Sequence, residues 1–349
     1  MTPVRFDHLY RMTDQLGLFE HALRTEPRPE HGYCLDDAAR GLVVVCREPD
    51  PSPELRLLGM RYLDFTVAAI QPDGACHNRM DAGGAWTDTA GLGDWWGRAL
   101  WGLGVAAAHA PTQEMRGCAL RGFRTATARR SPYLRSMVFA ALGAGELLLS
   151  IPADPSARLL LLDFLAEINR EFEFDREAGG DSRSGWEWPW PRLTYGNASI
   201  AEALLLAGMA LPDERAVADG LRLLEFLIRT ETSGGHLSVT PVGGRGPAEA
   251  ALPSGRRPAF DQQPIEVAAI ADACARAFEL TGETRWRDGV RLAWAWFLGD
   301  NDSATVMVDP STGAGFDGLE RHGRNLNQGA ESTLAALSTA QHARRLEEF

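Results

Sequence analysis

The chain of 349 residues is 45% hydrophobic and 23% charged, enough apolar material for a large core and too much for a disordered protein. No apolar run reaches the roughly 18 residues that a membrane span requires, and the N-terminus lacks the apolar stretch of a signal peptide, so a soluble, cytoplasmic protein is expected. Thirty-five basic against 47 acidic residues leave a net charge of −12, which argues against nucleic acid or an anionic membrane surface as partner.

Helical periodicity dominates from end to end. In chain order it predicts helices over 6–24, 35–47, 54–70, 95–109, 112–128, 133–150, 155–173, 197–210, 213–231, 262–280, 284–299 and 328–344. The seventh shows the local logic: Asp154 can cap, Pro155 sits in the first turn, and Leu161, Leu165, Ile168 and Phe172 recur on one face. Connections after the even-numbered helices are short. Those after the odd-numbered ones are mostly long, at 25–34, 71–94, 174–196, 232–261 and 300–327, with 129–132 the one short exception. Helices running up and down place the long loops at one end of the molecule. The pattern predicts an all-α fold, an (α/α)6 barrel of about twelve helices, with residues 1–349 forming one domain. The even-numbered helices then point their N-termini, with partial positive charge and unpaired N–H groups, at the long-loop end.

Several chemistries are excluded. All 35 basic residues are arginine, which removes Schiff-base lysine chemistry and a P-loop. The five cysteines form no C-x-x-C pair and read as free buried thiols. The eight histidines show no H-E-x-x-H spacing, and neither G-x-G-x-x-G at a strand-to-helix turn nor G-x-S-x-G occurs. No metal and no cofactor are expected.

Carboxylates collect at the ends of the long loops: Asp36, Asp37, Asp94, Glu187, Asp261, Glu266 and Glu331. Helix capping is the ordinary role of an acid there, but five loop ends sharing one rim also suit glycosidic cleavage. That reaction needs one carboxyl to protonate the departing oxygen and a second to activate water or attack carbon. Asp94, Glu187 and Asp261 are the first candidates for the pair, with Asp37 and Glu331 next. Seven of the ten tryptophans lie in two stretches, and Trp186 and Trp188, with Tyr195, suit sugar stacking as well as loop anchoring. Asn197, Gln262, Gln263, Asn327 and Gln328 offer forked hydrogen bonds to vicinal hydroxyls. Asp36, Glu266 and His236 complete the expected binding set. Arg98 stands at i,i+4 from Asp94, the spacing of an ion pair.

The run His31-Gly32-Tyr33-Cys34-Leu35-Asp36-Asp37-Ala38-Ala39-Arg40 resembles the start of a bacterial family often labelled as glycosyltransferase or glycosyltransferase-associated, within the six-hairpin glycosidase-like superfamily. Gly97 to Trp101, Trp186-Glu187-Trp188, Leu193 to Ala198, Phe260 to Glu266 and Asn327 to Thr333 extend the resemblance in order. Gly196 departs from it, standing where an acidic residue is common, and Trp95-Trp96 replaces a more polar pair. The resemblance implies an (α/α)6 barrel and a carbohydrate ligand. The expected function is a metal-independent glycoside hydrolase, inverting by preference. One alternative is a sugar epimerase using His31 and His236, or a polysaccharide lyase using Tyr195 and Arg183. The other is a non-catalytic glycan-binding partner of a glycosyltransferase.

Overall fold

A computed structural model of the chain describes residues 4–177, 186–250 and 259–347. Its helices are α1 (Asp7–Arg11), α2 (Leu35–Arg47), α3 (Pro53–Ala68), α4 (Asp94–His109), α5 (Gln113–Ala126), α6 (Leu134–Ser150) and α7 (Pro155–Glu177). There follow α8 (Asn197–Ala210), α9 (Glu214–Glu231), the one-turn α10 (Pro247–Ala250), α11 (Pro264–Thr281), α12 (Thr284–Phe297) and α13 (Ala330–Glu347). Helices α2, α4, α6, α8, α11 and α13 each pack on the next, and α13 returns to α2, closing an inner ring. Around it α3 covers α2, α5 covers α4, α7 covers α6, α9 covers α8 and α12 covers α11, while α1 touches α13. The fold is the (α/α)6 barrel that the alternating loop lengths predict.

Sequence separates the two layers. Helices α4, α6 and α8 are buried on almost every face, as expected of helices surrounded by other helices, whereas α5, α9 and α12 bury one stripe each. Helices α4 and α6 approach closely because Gly104 and Gly143 meet there, and a Cβ on either would collide with the other helix's backbone. The outer helices α3, α5 and α9 begin with side-chain caps from Ser52, Thr112 and Asp213, and Asp154 accepts from Ser156 and Ala157 at the start of α7. The inner helices α2, α4, α6, α8 and α11 have none.

One predicted helix is corrected. The segment 6–24 is helical only over α1; beyond it Asp14 accepts from the backbone N–H of Leu16 and Gly17 and from the Tyr33 hydroxyl, which turns the chain out of the helix. The hairpin β1 (Ala22–Leu23) with β2 (Glu26–Pro27) follows. Three further antiparallel pairs order the long loops: β3 (Tyr33–Cys34) with β4 (Arg79–Met80), β5 (Thr232–Ser233) with β6 (His236–Leu237), and β7 (Gly318–Glu320) with β8 (Gly323–Asn325). Among the described residues no helix is long and apolar enough to cross a membrane.

Candidate active site

The N-terminal ends of the inner helices surround a cleft of 450 Å³. Helix α2 supplies Asp36, Asp37 and Arg40, α4 supplies Asp94 and Arg98, and α13 supplies Glu331. Tyr195, just before α8, and Gln263, just before α11, complete that wall, and the loops add Glu20, His21, Arg79 and Asp317. Six carboxylates thus face three arginines, at the end where helix dipoles are positive.

Arg40 organises one side. Its Nη1 donates to Asp37 Oδ1 at 2.6 Å and its Nη2 lies 2.7 Å from Glu331 Oε2, joining α2 to α13. Glu331 keeps 41% of its side chain exposed, whereas Asp37 keeps 3%. Burial pushes the Asp37 carboxyl up to about 7, against the pull of Arg40 and with a further rise from Glu331. The Cys34 thiol donates to the other Asp37 oxygen at 3.1 Å.

Across α2, Asp94 accepts from the Ser136 hydroxyl of α6 at 2.9 Å. The expected Asp94–Arg98 pair is corrected: Arg98 Nε lies 3.5 Å from Asp36 and its guanidinium sits 3.9 Å over the Phe139 ring. The reason is tertiary, since α2 and α4 are neighbours in the ring and bring Asp36 to Arg98. Burial pulls the Arg98 pKa down to about 10. Arg135 lies 5.3 Å from the Tyr195 ring centre and donates to the Gly196 carbonyl at 2.9 Å.

The ligating atoms of Glu20, Cys34 and Asp37 lie within 4.8 Å of one another, the one such group of three among the described residues. Glu20 is already paired with Arg79 and Asp37 with Arg40, and burial pushes the Cys34 thiol well above its usual range. Both carboxylates of the group thus take their counter-charge from arginine.

Other expected site residues lie outside the cleft. Glu187 is drawn outward to Arg229 at 2.7 Å on α9. Asp261 is exposed, and its backbone carbonyl accepts from Val242. Trp188 is buried against Phe226, and Trp186 meets the same ring edge-on while donating to the Trp190 carbonyl; both anchor the loop. Gln262 is fully buried and bonds the Ala259 carbonyl, Asp302 and Trp296, while His236 pairs with Asp302 at 2.9 Å. These two form a brace under the loop.

Glu266 is a cap, though for a neighbour: it accepts from the Gly196 N–H at 2.6 Å at the start of α8. Burial, with Glu231 nearby, pushes it up to about 7. Asn197 is buried and holds the Thr194 N–H. Asn327 accepts from the Arg24 N–H, and the buried Gln328 takes a hydrogen bond from His8 on its backbone carbonyl. Arg183 lies outside the described residues. Of the expected set, Asp36, Asp37, Asp94, Arg98, Tyr195, Gln263 and Glu331 come together.

Sequence reasoning overlooked Arg40, Glu20 and His21 as site residues. Arg40 is legible as i+3 from Asp37 on a helix. Glu20 and His21 were hidden by the helix predicted over 6–24.

No protein-family model and no curated protein matches the sequence. Solved structures do. A sugar epimerase from a ruminal bacterium superposes with a TM-score of 0.68 at 12% identity, covering 96% of this chain and 94% of that one. The cellobiose 2-epimerase of Spirochaeta thermophila gives 0.66 at 13% identity over 97% and 92%. An α-mannanase from Bacteroides thetaiotaomicron gives 0.63 at 12% identity over 98% and 95%. The protein therefore shares the fold of these solved structures, the (α/α)6 barrel.

Proposed function

We propose that the protein is a carbohydrate-active enzyme whose rim cleft hydrolyses a glycosidic bond, with Asp94 and Glu331 as the carboxylate pair. One observation carries this reading: two accessible carboxylates stand on either side of α2, one on α4 and one on α13, within a single cleft. Likeness in fold to sugar epimerases and an α-mannanase supports a sugar ligand. In the reaction one carboxyl gives its proton to the departing glycosidic oxygen as the C–O bond breaks. The other takes a proton from the water whose oxygen bonds to the anomeric carbon, with inversion the expected outcome. Arg40, locked by buried Asp37, positions Glu331; Ser136 positions Asp94; Tyr195 offers a ring face to a sugar.

The test is reducing-end release from a panel of oligosaccharides. Asp94→Asn and Glu331→Gln each lower turnover by about 10²–10⁴-fold, whereas Glu187→Gln and Asp261→Asn, outside the cleft, leave it intact. The variant of the acid recovers activity on a glycoside with a better leaving group, which tells acid from base. Undiminished turnover in both cleft variants refutes the assignment.

A second reading is favoured by His21, which lines the cleft and packs edge-on to His31 at 5.1 Å: epimerisation by proton exchange beside a sugar carbonyl. Its mark is deuterium uptake at C2 in heavy water, abolished by His21→Gln. Saturable oligosaccharide binding with no turnover in either assay makes the cleft a glycan-binding site, the form in which it would serve a glycosyltransferase.

A further inference from the structure

The opposite mouth of the barrel, where the inner helices end, holds a cavity of 720 Å³, larger than the rim cleft. Its wall carries a buried charge network. Arg47 of α2 donates to Asp272 of α11 at 2.7 Å and to Ser338 of α13 at 2.8 Å, and His342 of α13 bonds the same Asp272 oxygen at 2.6 Å. Arg276 of α11 pairs with Glu146 of α6, which also meets His109 of α4 at 3.1 Å. Arg276 also holds Glu279 of its own helix at 2.8 Å, and Arg344 of α13 pairs with Glu48 at 2.9 Å.

Six carboxylates and four arginines line this wall, and Glu202, on α8, forms an ion pair with none of the arginines. It is 2% exposed, lines the cavity, and makes no hydrogen bond or ion pair with any described residue. Two other groups nearby are unpartnered: the Gln341 side-chain carbonyl oxygen on α13 and Arg276 Nε. The carbonyl ends of the inner helices also converge here, so their dipoles favour positive charge. An ammonium suits the Glu202 carboxylate, and the polar side chains of the wall suit hydroxyl groups.

We propose that this mouth is a second ligand site, separate from the rim cleft, which takes a small hydroxylated amine and pairs its ammonium with Glu202. Burial first, then Asp272 and Glu146, push Glu202 up to about 8, against the pull of Arg47 and Arg276. Binding of the ammonium therefore releases the Glu202 proton to solvent, and affinity rises with pH until Glu202 is ionised or the amine loses its own charge.

The test is calorimetric titration of the full-length protein, in phosphate, with 2-amino-1,3-propanediol and in parallel with glycerol, its neutral analogue. The expected result is saturable binding of the amine, tighter as pH is raised toward the Glu202 value, and no binding of glycerol over the same range. Glu202→Gln weakens the amine by at least about tenfold without lowering the melting temperature at neutral pH, because burial already holds Glu202 protonated there and the amide keeps that neutral form. Glu331→Gln, at the other end of the barrel, leaves amine binding unchanged. Equal affinity for amine and glycerol overturns the proposal, as does amine binding that survives Glu202→Gln or is lost in Glu331→Gln. Should Glu202→Gln melt early, the wild-type pH dependence decides: affinity that does not change with pH overturns it. Absence of amine binding to the wild type does so too.

Discussion

Asp37 shows how one side chain can be both a fold element and a pH-dependent group. One oxygen is held by Arg40 and the other by the Cys34 thiol, and burial lifts the carboxyl to about 7, from an unfolded value near ~3.9. Between those values the folded chain keeps a proton that the unfolded chain has lost. Asp37 thus contributes stability that is fully present below the window and lost as pH rises through it, by at most about 4 kcal/mol. Glu266 and Glu202 are raised in the same sense, so Asp37→Asn removes one share of the slope. Urea unfolding across the window is the measurement: the variant loses less stability than the wild type on going from acid to neutral pH. An identical pH dependence in the two proteins contradicts the assignment.

At the scale of elements, helix contacts in the inner ring are set by glycine as much as by apolar bulk. Gly143 of α6 lies against the backbone of Leu100 and Trp101 of α4. Gly143→Ala forces the helices apart and costs about 1–3 kcal/mol or more. Gly117→Ala, on the outer helix α5 with only the end of Arg121 near the added carbon, is neutral or stabilising by up to ~1 kcal/mol. Thermal melts of the two variants check the contrast; equal melting temperatures count against the packing argument. Capping follows the same division. Side chains cap outer helices away from the cleft, whereas the inner first turns carry acids that bond across helices, Glu331 to Arg40 and Glu266 to Gly196. Those acids act as tertiary links, and this leaves the rim polar and open to a hydroxyl-rich ligand.

At the scale of the whole molecule, the ring closes only when α13, the last helix, docks between α11 and α2. The buried Asp272 holds Arg47 of α2 and both His342 and Ser338 of α13, so three helices distant in sequence share one carboxylate. Removing it leaves Arg47 buried without its main counter-charge, and Asp272→Ala is expected to destabilise by about 3–5 kcal/mol. Chemical denaturation measures this; a loss of under about 1 kcal/mol would show that closure rests on apolar packing alone.

The sequence by itself determined the helices and the end of the molecule at which their long loops gather. Apolar spacing, Pro155 and the alternation of short and long connections are local properties, and they specify an up-and-down barrel with its loops at one rim. They also place Asp36, Asp37, Asp94 and Glu331 there, because a first-turn residue of an inner helix has no other end to occupy. The exception, 6–24, failed where Asp14 and Tyr33 make a turn from residues in different segments. Only the tertiary structure decided which rim residues face the cleft. Glu187 is diverted by Arg229, Gln262 by Asp302 and Trp296, and Trp188 by Phe226, all partners remote in sequence. Side-chain direction depends on which charge or ring lies across the gap between helices. Helical periodicity tells only which face of its own helix a residue occupies, and it carries no information about that opposing surface.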